Sequence, residues 1–275
     1  MYMIRLAALL AGLPLLAATS ADPIGETYHR LYNLDFAGAH KILDDYEAKQ
    51  PSDPIGPAVR GAAYLFYELD RLKILEGEFF SNDKKISGDD KLQPDPRVRD
   101  KFFAAITRAQ QLADARIQKS PNDTQALFAY CLTEGMRTDY MALVEKKQLR
   151  SLSYAKRAHN YALQVIKADP NFTDAYLTTG LTEYLVGSLP FFIRWFVKFE
   201  QVDGSKDQAV ARLNRVAEKG RYLGPFARIL LAIIHLREKR PGKAQELMAG
   251  LSRDYPQNYL FKKEAEKLTL KLERR

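Results

Sequence analysis

An alanine standing twelve residues ahead of a proline occurs four times in this chain, and no other feature restricts the fold as much. The segments are AHKILDDYEAKQP (Ala39 to Pro51), AQQLADARIQKSP (Ala109 to Pro121), AHNYALQVIKADP (Ala158 to Pro170) and AQELMAGLSRDYP (Ala244 to Pro256). Between the two marks, apolar residues return at three- and four-residue steps, the period of one helix face. The proline lacks an N–H and clashes with the preceding turn, so it stops the helix. The alanine lets a neighbouring helix approach closely at a fixed place. Ten residues after the first three prolines stand Gly61, Cys131 and Gly180, each inside a new apolar helix. Small residues there suit a second close crossing.

The unit is therefore helix, turn, helix, stop. One such unit cannot bury its apolar face alone, so several must stack. A fifth unit is expected at KDQAVARLNRVAEKG, where Ala209 and Leu213 keep the phase without a closing proline. A last helix over Asn258 to Leu272 carries Leu260, Ala265, Leu268 and Leu272 on one side and many Lys and Glu elsewhere, which suits a polar cap. Three stretches break the short-turn pattern: Glu76 to Pro96, Tyr140 to Arg150, and the opening of the chain. Long inserts in compact arrays often carry function.

This spacing of small residue, alanine and terminal proline resembles the tetratricopeptide repeat over nearly the whole chain after residue 21. The tract from DAYLTTGLTEYLVGSLPFFIRW through LGPFARILLAIIHLREKRPGKA looks like a group of secreted bacterial repeat proteins. It is more distantly similar to the family of the yeast inclusion body clearance protein. The turn VDGSKDQ, with Gly204 after Asp203, matches that family loosely. The resemblance implies an all-α fold: a right-handed α-solenoid of about five helical hairpins with long inserts and a C-terminal capping helix. It also implies a binding role rather than a reaction.

The chain opens MYMIRLAALLAGLPLLAATSA: one positive charge at Arg5, an apolar run to Ala18, then small residues. That is the layout of a signal peptide, and the run is short for a membrane span of roughly 20 residues. Residues 1–21 are expected to be removed, with an uncleaved N-terminal anchor as the alternative, leaving 22–275 as a single helical repeat domain exported to a bacterial periplasm or cell envelope. The formal charge of +8 favours acidic surfaces in general, but Lys and Glu are interspersed as on ordinary solvated helices. Cys131 is the only cysteine, so no internal disulfide can form and stability rests on packing.

Catalysis needs converging groups, and the sequence does not bring them together. His29, His40, His159 and His235 are the only histidines, none three or four residues from another, so a zinc site of the usual spacing is not expected. Cys131 occupies a position where other units have glycine, which fits a packing role better than a nucleophile. The loop SNDKKISGDDK lacks the alternating ligands of a calcium hand. No phosphate loop or dinucleotide-binding glycine motif occurs, and no nucleic-acid module is recognisable. No catalytic residue, metal or cofactor is expected, and no specific nucleic-acid partner.

Arrays of this kind bind peptides on a face lined by the first helix of each unit. The residues at those places, Ala58, Ala62, Leu65, Phe128, Leu132, Leu177 and Leu181, are apolar. Chaperone-binding members clamp a carboxylate there with Lys and Asn, so that function does not carry over. An apolar face suits an apolar or helical segment, from a protein or peptide partner or from the chain itself. The second candidate is FFIRWFVKF (Phe191 to Phe199), with Phe191, Phe192, Trp195 and Phe196 interrupted by Arg194 and Lys198. Burial against the helix from Tyr176 to Val186 is the leading reading, since large aromatics in water are costly. Resting on a membrane surface and docking a partner are the alternatives. The function expected is an exported, non-catalytic protein-binding scaffold; the rival is a peripheral envelope protein that uses this segment on a membrane.

The repeat phase makes a direct demand on two alanines. Ala109→Leu and Ala158→Leu are each expected to destabilise by about 1–3 kcal/mol through overpacking at a helix crossing. Thermal melts that match wild type for both would show that the phase is misassigned.

Overall fold

The computed structural model describes residues 22–76, 92–189 and 199–274. Residues 1–21, most of the first insert (77–91), the segment 190–198 and residue 275 lie outside the described residues. The expectations for the signal peptide, and for Phe191, Phe192, Arg194, Trp195, Phe196 and Lys198, fall on them. Among the described residues the chain is helical and has no strand. The helices are α1 (Pro23–Tyr32), α2 (Phe36–Lys49), α3 (Ile55–Arg71), α4 (Pro96–Ile117), α5 (Thr124–Asp139) and α6 (Gln148–Ala168). They continue as α7 (Tyr176–Ser188), α8 (Lys206–Lys219), α9 (Gly224–Arg237), α10 (Pro241–Asp254) and α11 (Tyr259–Glu273). A π-helical turn (Tyr140–Val144) extends α5, and a 3-10 turn (Thr173–Ala175) leads into α7.

Each helix packs on the next in sequence, and α3 also touches α1 and α5. The marked alanines explain how closely. Ala39, Ala109, Ala209 and Ala244 are wholly buried, and Ala158 nearly so. At Gly61 an added Cβ would lie 2.7 Å from Cγ2 of the buried Ile106, so the α3–α4 crossing admits no side chain without displacement. At Gly180 it would lie 3.1 Å from Leu213. Cys131 fills the corresponding place in α5, with Sγ 3.2 Å from Oγ1 of Thr178 in α7.

The helix ends follow a division by sequence type. Asp22, Asp35, Asp95, Asp123, Ser205 and Asn258 cap the starts of α1, α2, α4, α5, α8 and α11, each accepting a backbone N–H through its side chain. These bonds satisfy donors that the first helical turn leaves open. α1, α3 and α9 end in Schellman turns whose left-handed residue is not glycine: Leu34 (φ 61°), Lys73 (φ 59°) and Lys239 (φ 58°). In the last of these, Lys239 N–H donates to Leu236 O and Arg240 N–H to His235 O. A left-handed residue bearing a Cβ costs about 1–2 kcal/mol.

The expectation of stacked neighbours omits one contact. The first described helix meets the turns before α9 and α11. Tyr28 stacks on Tyr32 and on Tyr222, with ring centres 6.1 and 5.5 Å apart, and Tyr32 lies 5.3 Å from Tyr255. The Tyr32 hydroxyl donates to Tyr222 O at 3.0 Å. Asn258 Nδ2 donates to Tyr32 O at 2.8 Å, and Gln257 N–H to Asn33 Oδ1 at 3.2 Å. Arg221 pairs with Asp22 at 3.0 Å, Tyr259 donates to Asp70, and Lys263 pairs with Glu76. The polar helix α11 therefore does more than cover an end: it also reaches the N-terminal helices.

Lys239 is exposed, and its left-handed backbone is one that glycine adopts without strain. Lys239→Gly is expected to raise stability by about 0.5–1 kcal/mol, read as a higher urea midpoint with an unchanged slope. A lower midpoint would show that the strain is not relieved.

Candidate functional site

The apolar positions expected to line a binding face are packed within the array. Ala58, Ala62 and Leu65 in α3, Phe128 in α5 and Leu177 in α7 are all buried, with Leu65 and Phe128 only 1% exposed. Leu132 and Leu181 are half-buried. α3 is covered by α1, α4 and α5, and Phe128 packs on Phe172 with ring centres 4.7 Å apart. The occupant of this surface is the chain itself. A partner could touch the five buried residues only by displacing neighbouring helices, whereas Leu132 and Leu181 keep part of their surface open. Of the residues expected to meet Trp195, Tyr184 is buried, Leu181 half-buried and Leu185 55% exposed.

The structure draws attention instead to the connections that lead from the first helix of a pair to the second. Those after α1 and α9 are three residues long, whereas those after α3, α5 and α7 are longer. Two of the long ones are fastened in the same way. Glu68, buried near the end of α3, accepts the N–H of Asp95 at 2.8 Å; Asp95 caps α4. Glu183, buried near the end of α7, accepts the N–H of Ser205 at 2.6 Å; Ser205 caps α8. Arg71 binds Glu68 through two nitrogens, at 2.9 and 2.8 Å. Beside the second clamp, the His159 ring lies edge-on to Phe199, with Nε2 2.7 Å from Glu200 O. Donation from Nε2 leaves Nδ1 as a buried acceptor without a partner. Burial lowers the pKa of His159, as it does for His40 and His235.

The third long connection, Tyr140 to Lys147, holds the π-turn, and the rest of the stretch to Arg150 opens α6. Such a turn inserts a residue into a helix and often accompanies function. Tyr140 stacks on Phe102 at 5.1 Å, and its buried hydroxyl has no hydrogen-bond partner. Around this turn, arginines and rings alternate. Arg99 lies 5.4 Å from the Phe103 ring centre, Arg137 5.9 Å from Phe103 and 5.4 Å from Tyr154, and Arg157 4.6 Å from Tyr154. Three helices, α4, α5 and α6, contribute to this ladder. The sequence marks the irregular stretch but not the ladder, because residues 103, 137 and 154 share no local pattern.

Burial pushes the Asp139 carboxyl, beside the π-turn, up to about 7. Burial likewise pushes the Cys131 thiol up to about 12, so it carries little thiolate at neutral pH. Among the described residues no three His, Cys, Asp or Glu side chains are grouped to hold a metal ion, and no helix is long and apolar enough to cross a membrane. No protein-family model, curated protein or solved structure matches this chain.

The Asp139 shift has a defined sign. An unfolded aspartate titrates near 4, so between about pH 4 and 7 the folded chain holds a proton that the unfolded chain releases. Stability from this group therefore falls as pH rises through that window, and the full penalty stands above it. Asp139→Asn is expected to gain stability over wild type as pH is raised from 5 to 8, by about 1–3 kcal/mol at the upper end. Urea titrations at the two pH values check this; a constant difference would place the carboxylate in contact with water.

Proposed function

We propose that the chain is an exported helical-repeat scaffold of the bacterial cell envelope, a tetratricopeptide-like solenoid that binds a protein or peptide partner and catalyses no reaction. The observation that carries this reading is the placement of the extra residues. All three long connections join the first helix of a pair to the second, after α3, α5 and α7, while the links from one pair to the next are short. In an array of antiparallel pairs, connections of one class leave from one edge, and inserts gathered on one edge commonly form the binding surface. The buried phase of Ala39, Ala109, Ala158, Ala209 and Ala244 supports the repeat assignment. Self-burial of Ala58, Leu65 and Phe128 moves the binding surface from the apolar helix faces to the insert edge.

The export reading rests on the layout of residues 1–21 and is compatible with the role of Asp22, which caps α1 and pairs with Arg221. A chain cleaved before Asp22 keeps both contacts. N-terminal sequencing of the protein recovered from the periplasm is the corresponding check.

The binding reading is tested by replacing 77–91 with a short Gly-Ser linker. Crosslinking in envelope extracts is expected to join wild type to a defined partner, and the variant is expected to lose that partner while melting like wild type. Capture by both alike would remove the insert edge from the reading. Flotation of the purified chain with lipid vesicles alone would replace the scaffold by the membrane-resting protein.

A further inference from the structure

Arg137 differs from the cations around it. Arg157 has Glu134 at 2.9 Å, and Arg99 has Asp100 at 3.3 Å and Glu145 at 3.7 Å. Among the described residues Arg137 has no carboxylate within ion-pair distance. Glu134, one turn back on α5, is taken by Arg157 and by Gln110 at 3.0 Å. Asp139, two residues on, does not share its helix face, and burial alone moves that carboxyl. The guanidinium carbon lies 5.9 Å from the Phe103 ring centre and 5.4 Å from that of Tyr154, and its Nε is buried without a hydrogen bond. A half-buried guanidinium without an anion has lost water and gained only ring contacts, an arrangement that an incoming anion would complete.

The geometry also restricts the anion. With Nε buried, the two Nη groups form the fork left for paired bonds to a planar carboxylate. The neighbouring surface carries further cues. Arg150 is exposed and lies on the same stripe of α6 as Tyr154 and Arg157, at steps of four and three. Beside it Leu149 is 86% exposed. A basic edge next to a bare leucine fits a segment that carries a carboxylate and an apolar side chain close together.

We infer that Arg137, with the Phe103 and Tyr154 rings beside it, is an anchor for a carboxylate side chain of an acidic protein segment, with Arg150 as second cation and Leu149 as apolar contact. The assignment of a protein as occupant rests on the scaffold reading; the anion preference rests on Arg137 and its rings alone.

The test follows the Nε–H resonance of Arg137 in the folded chain by NMR, assigned by its absence in Arg137→Gln. Acetyl-capped hexaglutamate is titrated in, with sodium phosphate and capped hexalysine in parallel. The hexaglutamate is expected to shift the resonance saturably, and hexalysine to leave it in place. Arg137→Gln is expected to weaken peptide binding about tenfold or more, and Arg137→Lys, which keeps the charge but not the planar fork, to weaken it similarly. Arg253→Gln, an exposed position on α10, is expected to change nothing. No saturable shift, or equal affinity in wild type and both Arg137 variants, would overturn the anchor and leave the ladder as packing. A shift by phosphate equal to that by peptide would overturn the acidic segment in favour of a small oxyanion. If a variant fails to fold, the wild-type titration still decides. If hexaglutamate fails while the insert-dependent partner is still captured, the anchor falls and the scaffold stands.

Discussion

The junction of Tyr28 and Tyr32 with Tyr222 and Tyr255 decides what kind of helical array this is. In an open stack each helix depends only on its neighbours, and each end needs a separate polar cover. Here α1 lies against the turns that open α9 and α11, so it shares one apolar core with α9, while α10 and α11 bury a smaller cluster joined to it through Tyr255. The aromatic rings exclude water from the hydrogen bonds Tyr32 to Tyr222 and Asn258 to Tyr32, which strengthens them. Asp174 fixes the other side of the junction, accepting the N–H groups of Tyr222 at 3.1 Å and Leu223 at 3.0 Å. Its carboxylate thereby ties the turn before α9 to the turn before α7.

Close crossings supply the rest. Gly61 against Ile106, Cys131 against Thr178 and Gly180 against Leu213 place the first helix of one pair near a helix on either side. Every such approach trades side-chain volume for contact between helices, and the interior has no slack to absorb an added group. The arrangement tolerates strain at the surface instead. Leu34, Lys73 and Lys239 occupy left-handed positions where glycine would be easier, and the turns form nonetheless because the helices they join are already fixed by packing.

Much of this architecture is legible in the residues themselves, for definite reasons. An alanine twelve residues before a proline reports a local helix and its crossing point, so the spacing places α2, α4, α6 and α10, and the same phase finds α8. Gly61, Cys131 and Gly180 announce crowding because small size is a property of one residue. Contacts between distant segments leave no such trace. Nothing in the spacing of Tyr32, Tyr222 and Asn258 says that they meet, and the Arg137 ladder is drawn from three helices. The apolar character of Ala58, Leu65 and Phe128 states a demand for cover; which surface meets that demand is a tertiary matter. FFIRWFVKF stands out in composition, and 191–198 lie outside the described residues.

The closure has a consequence for the order in which the fold can be completed. Tyr32 bonds to a residue 190 positions later and to another 226 positions later. The entropy of closing so long a loop grows only with the logarithm of its length, adding roughly 2 kcal/mol over a loop one-tenth as long, so equilibrium stability is little affected. Timing is affected far more. Synthesis proceeds from the N-terminus, and the surface that α1 covers is not complete until nearly the whole chain has been made. Until then the rings of Tyr28 and Tyr32 wait without their partners. The first helix can pack on α2 and α3 as soon as they are made, but its aromatic face closes only when the last helix arrives.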